Sequence, residues 1–186
     1  SAAEMGENTS LKKTWPGVVE SANLIGSDQI QNRCTIAGNL CNASPAADAV
    51  PALIAAGAKV NVVGAQRRRT VAVESIITGP GTTSLRKGEV VEAITLPKRP
   101  PKSGDAYLRF IPRSEMDIAV VGAASMIVVD PATKRCNQAR IALASVAPTP
   151  VRAREVEAAL EGQVLTTELV RQAAELAANS ASPIND

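Results

Sequence analysis

The sequence has 186 residues, of which 45% are hydrophobic and only 2% aromatic, so it predicts a globular chain with an aliphatic core. Twenty basic residues face eighteen acidic ones, and this near balance excludes a broad field that would attract nucleic acid or anionic lipid. The absence of histidine excludes serine–histidine and cysteine–histidine catalysis within the chain.

The three cysteines, Cys34, Cys41 and Cys136, form no C-x-x-C pair. A zinc or iron–sulfur site made by this chain alone is therefore not predicted, and the sparse cysteines indicate a reducing, cytoplasmic setting. No apolar run reaches the roughly 18 residues needed to cross a bilayer. The start, "SAAEMGENTS", has neither the basic nor the apolar region of a signal peptide, and it lacks an initiator methionine, so we expect a fragment of a longer protein.

In the first half, "PGVVESANLIG" predicts a short helix with Pro16 in its first turn and Gly26 at its end. The next stretch, "IQNRCTIAGNLCNASPAAD", predicts a polar loop of small residues. A second helix is predicted in "PAADAVPALIAAG", with Ser44 as its N-cap and Pro51 expected to kink or split it. A hairpin in "KVNVVGAQRRRTVAV", a loop in "SIITGPGTTSLRKGE" and a strand in "EVVEAITLP" follow.

The stretch "KRPPKSG" has the composition of a linker, so we predict a boundary between residues 1–100 and residues 101–186. After it, "AYLRFIPR" and "DIAVVGAASMIVVD" predict strands, and "NQARIALASVAPTP" predicts an antiparallel partner for the second of them. Helices are predicted in "PVRAREVEAALEG" and "TTELVRQAAELAANS". Because helices and strands are segregated along the chain, the predicted fold class is α+β.

The small-residue loop has the composition of a ligand-binding segment. Ala37 and Gly38 lack bulk, which would let the backbone approach an anion closely, while Thr35 and Asn39 offer polar side chains. Asp48 can accept hydrogen bonds from ligand hydroxyls, and the helix predicted next would direct its positive end toward the loop. These features suit a nucleotide-type cofactor, although the residues alone favour an ordinary structural loop.

The segment "GSDQIQNRCTIAGNLCNASPAADAVPAL" resembles the second flavin-binding motif of the FAD-binding (medium) subunit of molybdenum hydroxylases, the family of carbon monoxide dehydrogenase and xanthine dehydrogenase. The family pattern is Q-I-R-N, then T-I-G-G-N, then S-P-x-x-D. The resemblance continues through "TGPGTTSLRKGEVVEAITLP", "RSEMDIAVVGAA" and "ARIALASVAPTPVRAREVEAALEG", and it covers the chain from about Trp15 to Asp186.

This resemblance implies the later part of a flavin-binding lobe followed by a C-terminal lobe with a three-stranded antiparallel sheet and helices. It also implies an oxidoreductase subunit whose FAD passes electrons from iron–sulfur clusters to an acceptor. The molybdenum cofactor and the clusters are expected on a large and a small partner subunit of a hetero-oligomer. The family's first motif, an A-G-G loop that holds the pyrophosphate, does not occur in these 186 residues.

The resemblance also implies the cofactor-binding residues, and it assigns no acid, base or nucleophile. One group surrounds the diphosphate, Asp48 binds the sugar-like portion, two apolar residues line the cofactor, and Arg109 stands where a lysine near the flavin ring is usual. The diphosphate group is Thr35, Ile36, Ala37, Gly38 and Asn39, and the lining residues are Ile25 and Val91. A cation at position 109 would favour anionic reduced flavin.

Two departures from the family pattern support an alternative function. Ala37 replaces a glycine and Gln31 replaces an arginine, which would suit a non-catalytic interaction module that no longer binds FAD.

Predictions for other residues concern local structure. The arginine run 67–69 is predicted on a solvated turn or, less favourably, as a dock for an acidic partner. Cys34 and Cys41 are predicted as buried small hydrophobes. Asp117 is predicted either to cap a turn or to act near the flavin, and Glu115 is predicted on the surface.

Overall fold

The computed structural model describes residues 1–113 and 116–184, so the prediction for Glu115 lies outside the described residues. The chain opens with four short helices: α1 (Ala2–Glu7), α2 (Thr9–Thr14), α3 (Pro16–Ala22) and α4 (Asp28–Gln31). A capping box between Ser1 and Glu4 begins α1, and the Asn8 side chain caps α2. The helix predicted from Pro16 is confirmed as α3.

The small-residue segment is a helix, so the prediction of a loop there was wrong. Helix α5 (Ile36–Asn42) begins at Thr35, whose hydroxyl accepts a hydrogen bond from the Gly38 amide at 2.9 Å. Ile36 and Leu40, spaced by one helical turn, are both buried against the core. Burial of this short stripe therefore overrides the poor helix propensity of the glycine and asparagine residues in the segment.

The next helix begins later than predicted. Ser44 caps a turn through the Ala46 amide, and α6 (Ala49–Ala56) starts only after Asp48. Pro51 is therefore the third helical residue, where its missing N–H has no intrahelical partner to lose, so it neither kinks nor splits the helix. All eight residues of α6 are buried, and α6 runs through the middle of the core.

A three-stranded antiparallel sheet follows α6 in the chain. Strands β1 (Lys59–Val63) and β2 (Arg68–Ala72) form the predicted hairpin, and β5 (Val90–Thr95) pairs with the other edge of β1. The segment predicted as a loop contains a minor two-stranded ladder of β3 (Ile77–Gly79) and β4 (Thr82–Thr83). The predicted hairpin and strand are thus confirmed.

The second half contains a four-stranded antiparallel sheet in the order β6-β7-β8-β9. Its strands are β6 (Ser103–Phe110), β7 (Val121–Val129), β8 (Cys136–Ala144) and the two-residue β9 (Val151–Arg152). Helices α7 (Arg154–Leu160) and α8 (Thr167–Ala177) pack together, and α7 also contacts β8. The predicted α+β class is confirmed, with three long strands as expected and β9 as a short addition.

The core crosses the predicted boundary at residue 100. The larger hydrophobic cluster joins α6 to Tyr107, Met126 and Ala142 of the second sheet, and a smaller cluster lies between that sheet and α7–α8. Within the linker, the Arg99 guanidinium donates to the carbonyls of Thr14 and Ser103 and pairs with Asp105. The linker is thus fixed to both halves, while the division into two lobes stays a prediction.

In the part of the chain that the structure describes, none of the helices combines the length and the apolarity that crossing a membrane requires.

Candidate functional site

Three side chains from both halves of the chain meet at the start of α6. Tyr107 and Arg109 lie two residues apart on β6, so they face the same side of the sheet. The Tyr107 hydroxyl donates to Asp48 Oδ1 at 2.9 Å, and Arg109 Nη1 lies 3.2 Å from Asp48 Oδ2. Arg109 also donates to the Leu24 carbonyl at 2.7 Å. The sequence-predicted residues Asp48 and Arg109 are therefore brought together as an ion pair.

The cluster of Asp48, Tyr107 and Arg109 is largely removed from water. The side chains of Asp48 and Arg109 are 12% and 8% exposed. Burial raises the pKa of the Asp48 carboxyl, and the Tyr107 hydroxyl and the Arg109 charge oppose that rise without cancelling it. Burial and the neighbouring carboxylate also raise the pKa of Tyr107 well above its ordinary value. The cluster thus holds a desolvated carboxylate beside a cation and a neutral hydroxyl donor.

A cavity of about 350 Å³ opens beside the cluster. Its wall includes Arg109 and Met116 from the second half and a run of mostly polar residues from the α3–α4 region, namely Asn23, Leu24, Gly26, Ser27, Asp28, Gln29 and Gln31. Gly26 has φ +58°, and a Cβ there would lie 2.7 Å from Ile30 Cδ1, so this wall requires glycine. Gln31 donates to the Asn23 carbonyl at 2.8 Å and braces the same wall.

The five residues predicted around the diphosphate lie at the first turn of α5. Thr35 and Gly38 are exposed, Ala37 and Asn39 are half-buried, and Ile36 is buried in the core. Asn39 Oδ1 accepts the Ala49 amide at 3.3 Å, which joins this turn to the first residue of α6. Position 37 lies within the helix and has no positive φ, so the alanine that replaces the family's glycine causes no backbone strain.

The two predicted lining residues occupy different positions relative to the cluster. Ile25 is buried and directly follows Leu24, whose carbonyl Arg109 binds. Val91 is half-buried on β5, which contacts α5 and pairs with β1, and it has no hydrogen-bonded link to the cluster. The structure therefore joins Ile25, Asn39, Asp48 and Arg109 closely, whereas Val91 lies on the neighbouring sheet.

Tyr107 is a component of the cluster that sequence reasoning missed. The signal was the alternation in "DAYLRF", which places Tyr107 and Arg109 on one face of the strand. The apolar residues Leu108 and Phe110 lie on the opposite face, and the structure shows that both are exposed. A lone tyrosine in a strand is ordinarily interpreted as core, and here the ring is indeed buried while its hydroxyl binds Asp48.

Other singled-out residues form local pairs. Arg113 binds Asp117 through two hydrogen bonds of 3.0 and 2.9 Å. In the arginine run, Arg68 pairs with Glu92 and Arg69 with Glu89. Cys34 and Cys41 are free and only half-buried, so the prediction that both are buried was wrong, and Cys136 is buried.

The residues present fit part of a dinucleotide. Among the residues that the structure describes, each Asp48 oxygen has one donor, which leaves further lone pairs for ligand hydroxyls. The Arg109 guanidinium offers positive charge at the cavity wall. A volume of 350 Å³ lies near the lower end of the range of about 300–1,000 Å³ for ligand cavities, so the remainder of such a ligand requires walls from elsewhere.

Comparison with known proteins gives a family for both halves. Residues 1–99 match the family described as the FAD binding domain in molybdopterin dehydrogenase, and residues 106–186 match the CO dehydrogenase flavoprotein C-terminal domain. The chain is 27% identical over 178 residues to the xanthine dehydrogenase FAD-binding subunit of Escherichia coli O157:H7, covering 95% of this chain and 60% of that protein. It is 33% identical over 171 residues to the carbon monoxide dehydrogenase medium chain of Hydrogenophaga pseudoflava, covering 92% and 58%.

Solved structures agree with these sequence matches. A chain of carbon monoxide dehydrogenase from Hydrogenophaga pseudoflava superposes with a TM-score of 0.91 at 32% identity, over all of this chain and 63% of that one. A chain of quinoline 2-oxidoreductase from Pseudomonas putida 86 superposes with a TM-score of 0.88 at 25% identity, over 64% of its length. The chain thus spans about three fifths of the relatives that it matches. The predicted family and its cofactor, FAD, are confirmed, and the chain belongs to the FAD-binding flavoproteins of the molybdopterin dehydrogenase family.

Proposed function

We propose that this chain forms the part of an electron-transfer flavoprotein subunit that binds the polyol and charged portions of FAD. FAD, when bound, would supply the redox chemistry between iron–sulfur clusters of a partner and an acceptor. The chain's own residues bind and orient the cofactor. The observation that carries this proposal is the desolvated Asp48 carboxylate, held by Arg109, whose side chain lines a polar cavity.

Most of the predicted residues have a role in this proposal. Asp48 accepts hydrogen bonds from cofactor hydroxyls, and Arg109 places a fixed positive charge beside the bound cofactor, since its guanidinium is anchored by Leu24 and Asp48. The exposed first turn of α5, with Thr35 and Gly38, is joined to the start of α6 by the Asn39–Ala49 hydrogen bond. Val91, on the strand β5 that contacts α5, and Ile25, next to Leu24 in the chain, are the proposed apolar residues of the site.

The family also suggests the setting of the subunit. Relatives are medium chains or FAD-binding subunits of larger enzymes, so we propose a hetero-oligomer with a molybdenum-containing large subunit and an iron–sulfur small subunit. All three cysteines are free, which supports a reducing compartment and hence the cytoplasm. The relatives are longer than this chain, and their remaining portion is the expected source of the other walls of the FAD site.

The test is FAD binding by the chain and by an Asp48→Ala variant, measured by quenching of flavin fluorescence. Since a hydrogen bond to a charged group contributes about 1.5–3 kcal/mol, we expect Asp48→Ala to weaken binding about tenfold or more. Asp130→Ala is the matched control, because Asp130 accepts the amides of Ala132 and Thr133 in the β7–β8 turn. Circular dichroism checks that both variants fold. Equal affinity of the wild type and Asp48→Ala would refute the role of Asp48.

One observation favours the alternative, an interaction module that does not bind FAD. Both Asp48 oxygens already have partners within the chain, so the cluster is stable without a ligand. A protein that remains colourless after incubation with FAD, and whose melting temperature FAD does not raise, would favour this alternative. A flavin absorbance band that stays with the protein through gel filtration would favour the flavoprotein.

A further inference from the structure

The Asp48 carboxylate is free to serve a ligand because it does not cap the helix that it precedes. Asp48 occupies the N-cap of α6 but makes no side-chain cap hydrogen bond, although aspartate is among the best capping residues. Asn39 instead accepts the Ala49 amide at the first helical position. The carboxylate is turned away toward β6, where its partners are Tyr107 and Arg109.

Of these two partners, Tyr107 is the better-defined constraint. Its ring is 3% exposed, its backbone amide donates to Glu20 at 3.0 Å, and its hydroxyl lies 2.9 Å from Asp48 Oδ1. The Arg109 contact to Asp48 is longer, at 3.2 Å, and the same nitrogen binds the Leu24 carbonyl at 2.7 Å. Arg109 alone would therefore leave the Asp48 carboxylate free to rotate about its Cβ–Cγ bond.

The sheet also leaves space for the tyrosine hydroxyl. Gly122 on β7 pairs with Arg109, and a Cβ at Gly122 would lie 2.7 Å from Tyr107 Oη. The same Cβ would lie 3.4 Å from the ring carbons Cε2 and Cζ, which is an ordinary van der Waals distance. A side chain at position 122 would thus clash with the hydroxyl and, because Oη is fixed to the ring, would shift the ring and move the hydroxyl from its place beside Asp48.

We propose that Tyr107 is a positioning residue, whose hydroxyl fixes Asp48 Oδ1 so that the carboxylate presents its remaining lone pairs to the cofactor's hydroxyls, with Gly122 providing the space for that hydroxyl. This inference rests on the proposed function. It adds a residue pair, Tyr107 and Gly122, whose contribution acts through Asp48 and not through contact with the cofactor.

The first test is the FAD affinity of Tyr107→Phe, which keeps the buried ring and removes only the hydroxyl. We expect about tenfold weaker binding, the effect of losing one hydrogen bond to a carboxylate. Thr70→Val is the matched control, because it removes a hydroxyl that binds Asn61 on the remote β1–β2 hairpin, and its affinity should equal that of the wild type. Wild-type affinity for Tyr107→Phe would overturn the proposal.

The second test is a double-mutant cycle with Gly122→Ala. In the wild-type background we expect Gly122→Ala to weaken FAD binding by about the same factor as Tyr107→Phe, since its Cβ displaces the hydroxyl. In the Tyr107→Phe background the alanine meets no hydroxyl, so the second substitution should change affinity less than twofold. Independent, multiplying effects would overturn the proposal, because a general packing defect would act in both backgrounds.

A third measurement does not involve flavin. Tyr107 is the only tyrosine, so ultraviolet absorbance during an alkaline titration reports its ionisation alone. We expect Tyr107 of the folded wild type to stay un-ionised near pH 10, the ordinary pKa of tyrosine being about 10. In Asp48→Asn, which removes the negative charge, we expect Tyr107 to ionise at a lower pH than in the wild type. Ordinary ionisation of Tyr107 would overturn the positioning role even if FAD binds. Failure of the wild type to bind FAD would instead refute the proposed function and this inference with it.

Discussion

Replacing Arg140 with methionine should destabilise the fold by releasing the end of α6 opposite to Asp48. Arg140 lies on β8, and its Nε lies 3.1 Å from the carbonyls of both Ile54 and Ala55, while Nη2 lies 2.7 Å from that of Ile54. The last carbonyls of a helix have no intrahelical partner, and α6 is buried throughout, so water does not replace these contacts. A cation also complements the negative end of the helix dipole.

The magnitude follows from which carbonyls lose a partner. Ile54 keeps the Gly57 amide at 3.0 Å, whereas in the described part of the chain the Ala55 carbonyl accepts only from Arg140. An unsatisfied buried carbonyl costs about 1–3 kcal/mol, and loss of the dipole interaction adds about 0.3–1 kcal/mol. Methionine keeps the apolar stem of the side chain. It also removes a charge that burial desolvates, as the lowered pKa of Arg140 indicates, and this offsets part of the lost stability. We therefore expect a decrease of about 2 kcal/mol in the free energy of unfolding.

Urea denaturation followed by tryptophan fluorescence measures this decrease, because Trp15 is the only tryptophan and is buried. For a chain of this size, 2 kcal/mol corresponds to a fall in melting temperature of about 4–8 °C. Arg171→Met on α8 is the control, since Arg171 is 60% exposed and its pairs with Glu168 and Glu175 should contribute less than about 1 kcal/mol. A loss in Arg140→Met no larger than that in Arg171→Met would refute the reasoning.

Two further substitutions test the hairpin region and α5. The Arg69 side chain and the Arg86 amide lower the pKa of Glu89 from 4.5 to about 2, so its contribution to stability is present above pH 4.5 and is lost as the pH falls toward 2. Urea denaturation should therefore show that Glu89→Gln is less stable than the wild type at pH 7. The difference in the free energy of unfolding should shrink between pH 4.5 and 2, and a difference independent of pH would contradict the ion pair. Ala37→Gly, although it restores the family's glycine, should lower the free energy of unfolding by about 0.5–1 kcal/mol in the same assay, because residue 37 is helical; a gain in stability would contradict this.

The elements that sequence predicted well are those whose signals are local and repeated. The β1–β2 hairpin, the strands β5 to β8 and the helices α7 and α8 each combine a hydrophobic period with turn residues at their ends. Their own sequence therefore selects their structure before tertiary packing contributes. The α+β class follows from their order, and this is why it could be inferred without the structure.

Helix α5 and the start of α6 were misjudged because small and polar residues carry weak local signals. Within "TIAGNLCN", the glycine and two asparagines suggested a loop, and only the Thr35 cap and the one-turn spacing of Ile36 and Leu40 indicated a helix. Ser44 and Pro45 had the composition of a helix start, yet Ser44 caps an isolated turn. Tertiary burial decided both cases, and burial is not visible in a short segment.

The candidate site was also not predictable from local sequence, because its residues lie far apart in the chain. Asp48 and Arg109 were singled out one by one through the family motif, but their ion pair joins residues 61 positions apart, and no local pattern encodes it. It arises because Arg140 and the core hold α6 against the second sheet, so that the N-terminal end of α6 meets the Tyr107–Arg109 face of β6. The charge at position 109 is consequently compensated in part by Asp48, so its field at the cavity is weaker than that of an unpaired cation. Arg109→Lys, which keeps the charge but loses the planar donor geometry, should therefore alter the Asp48 contact more than the field at the cavity.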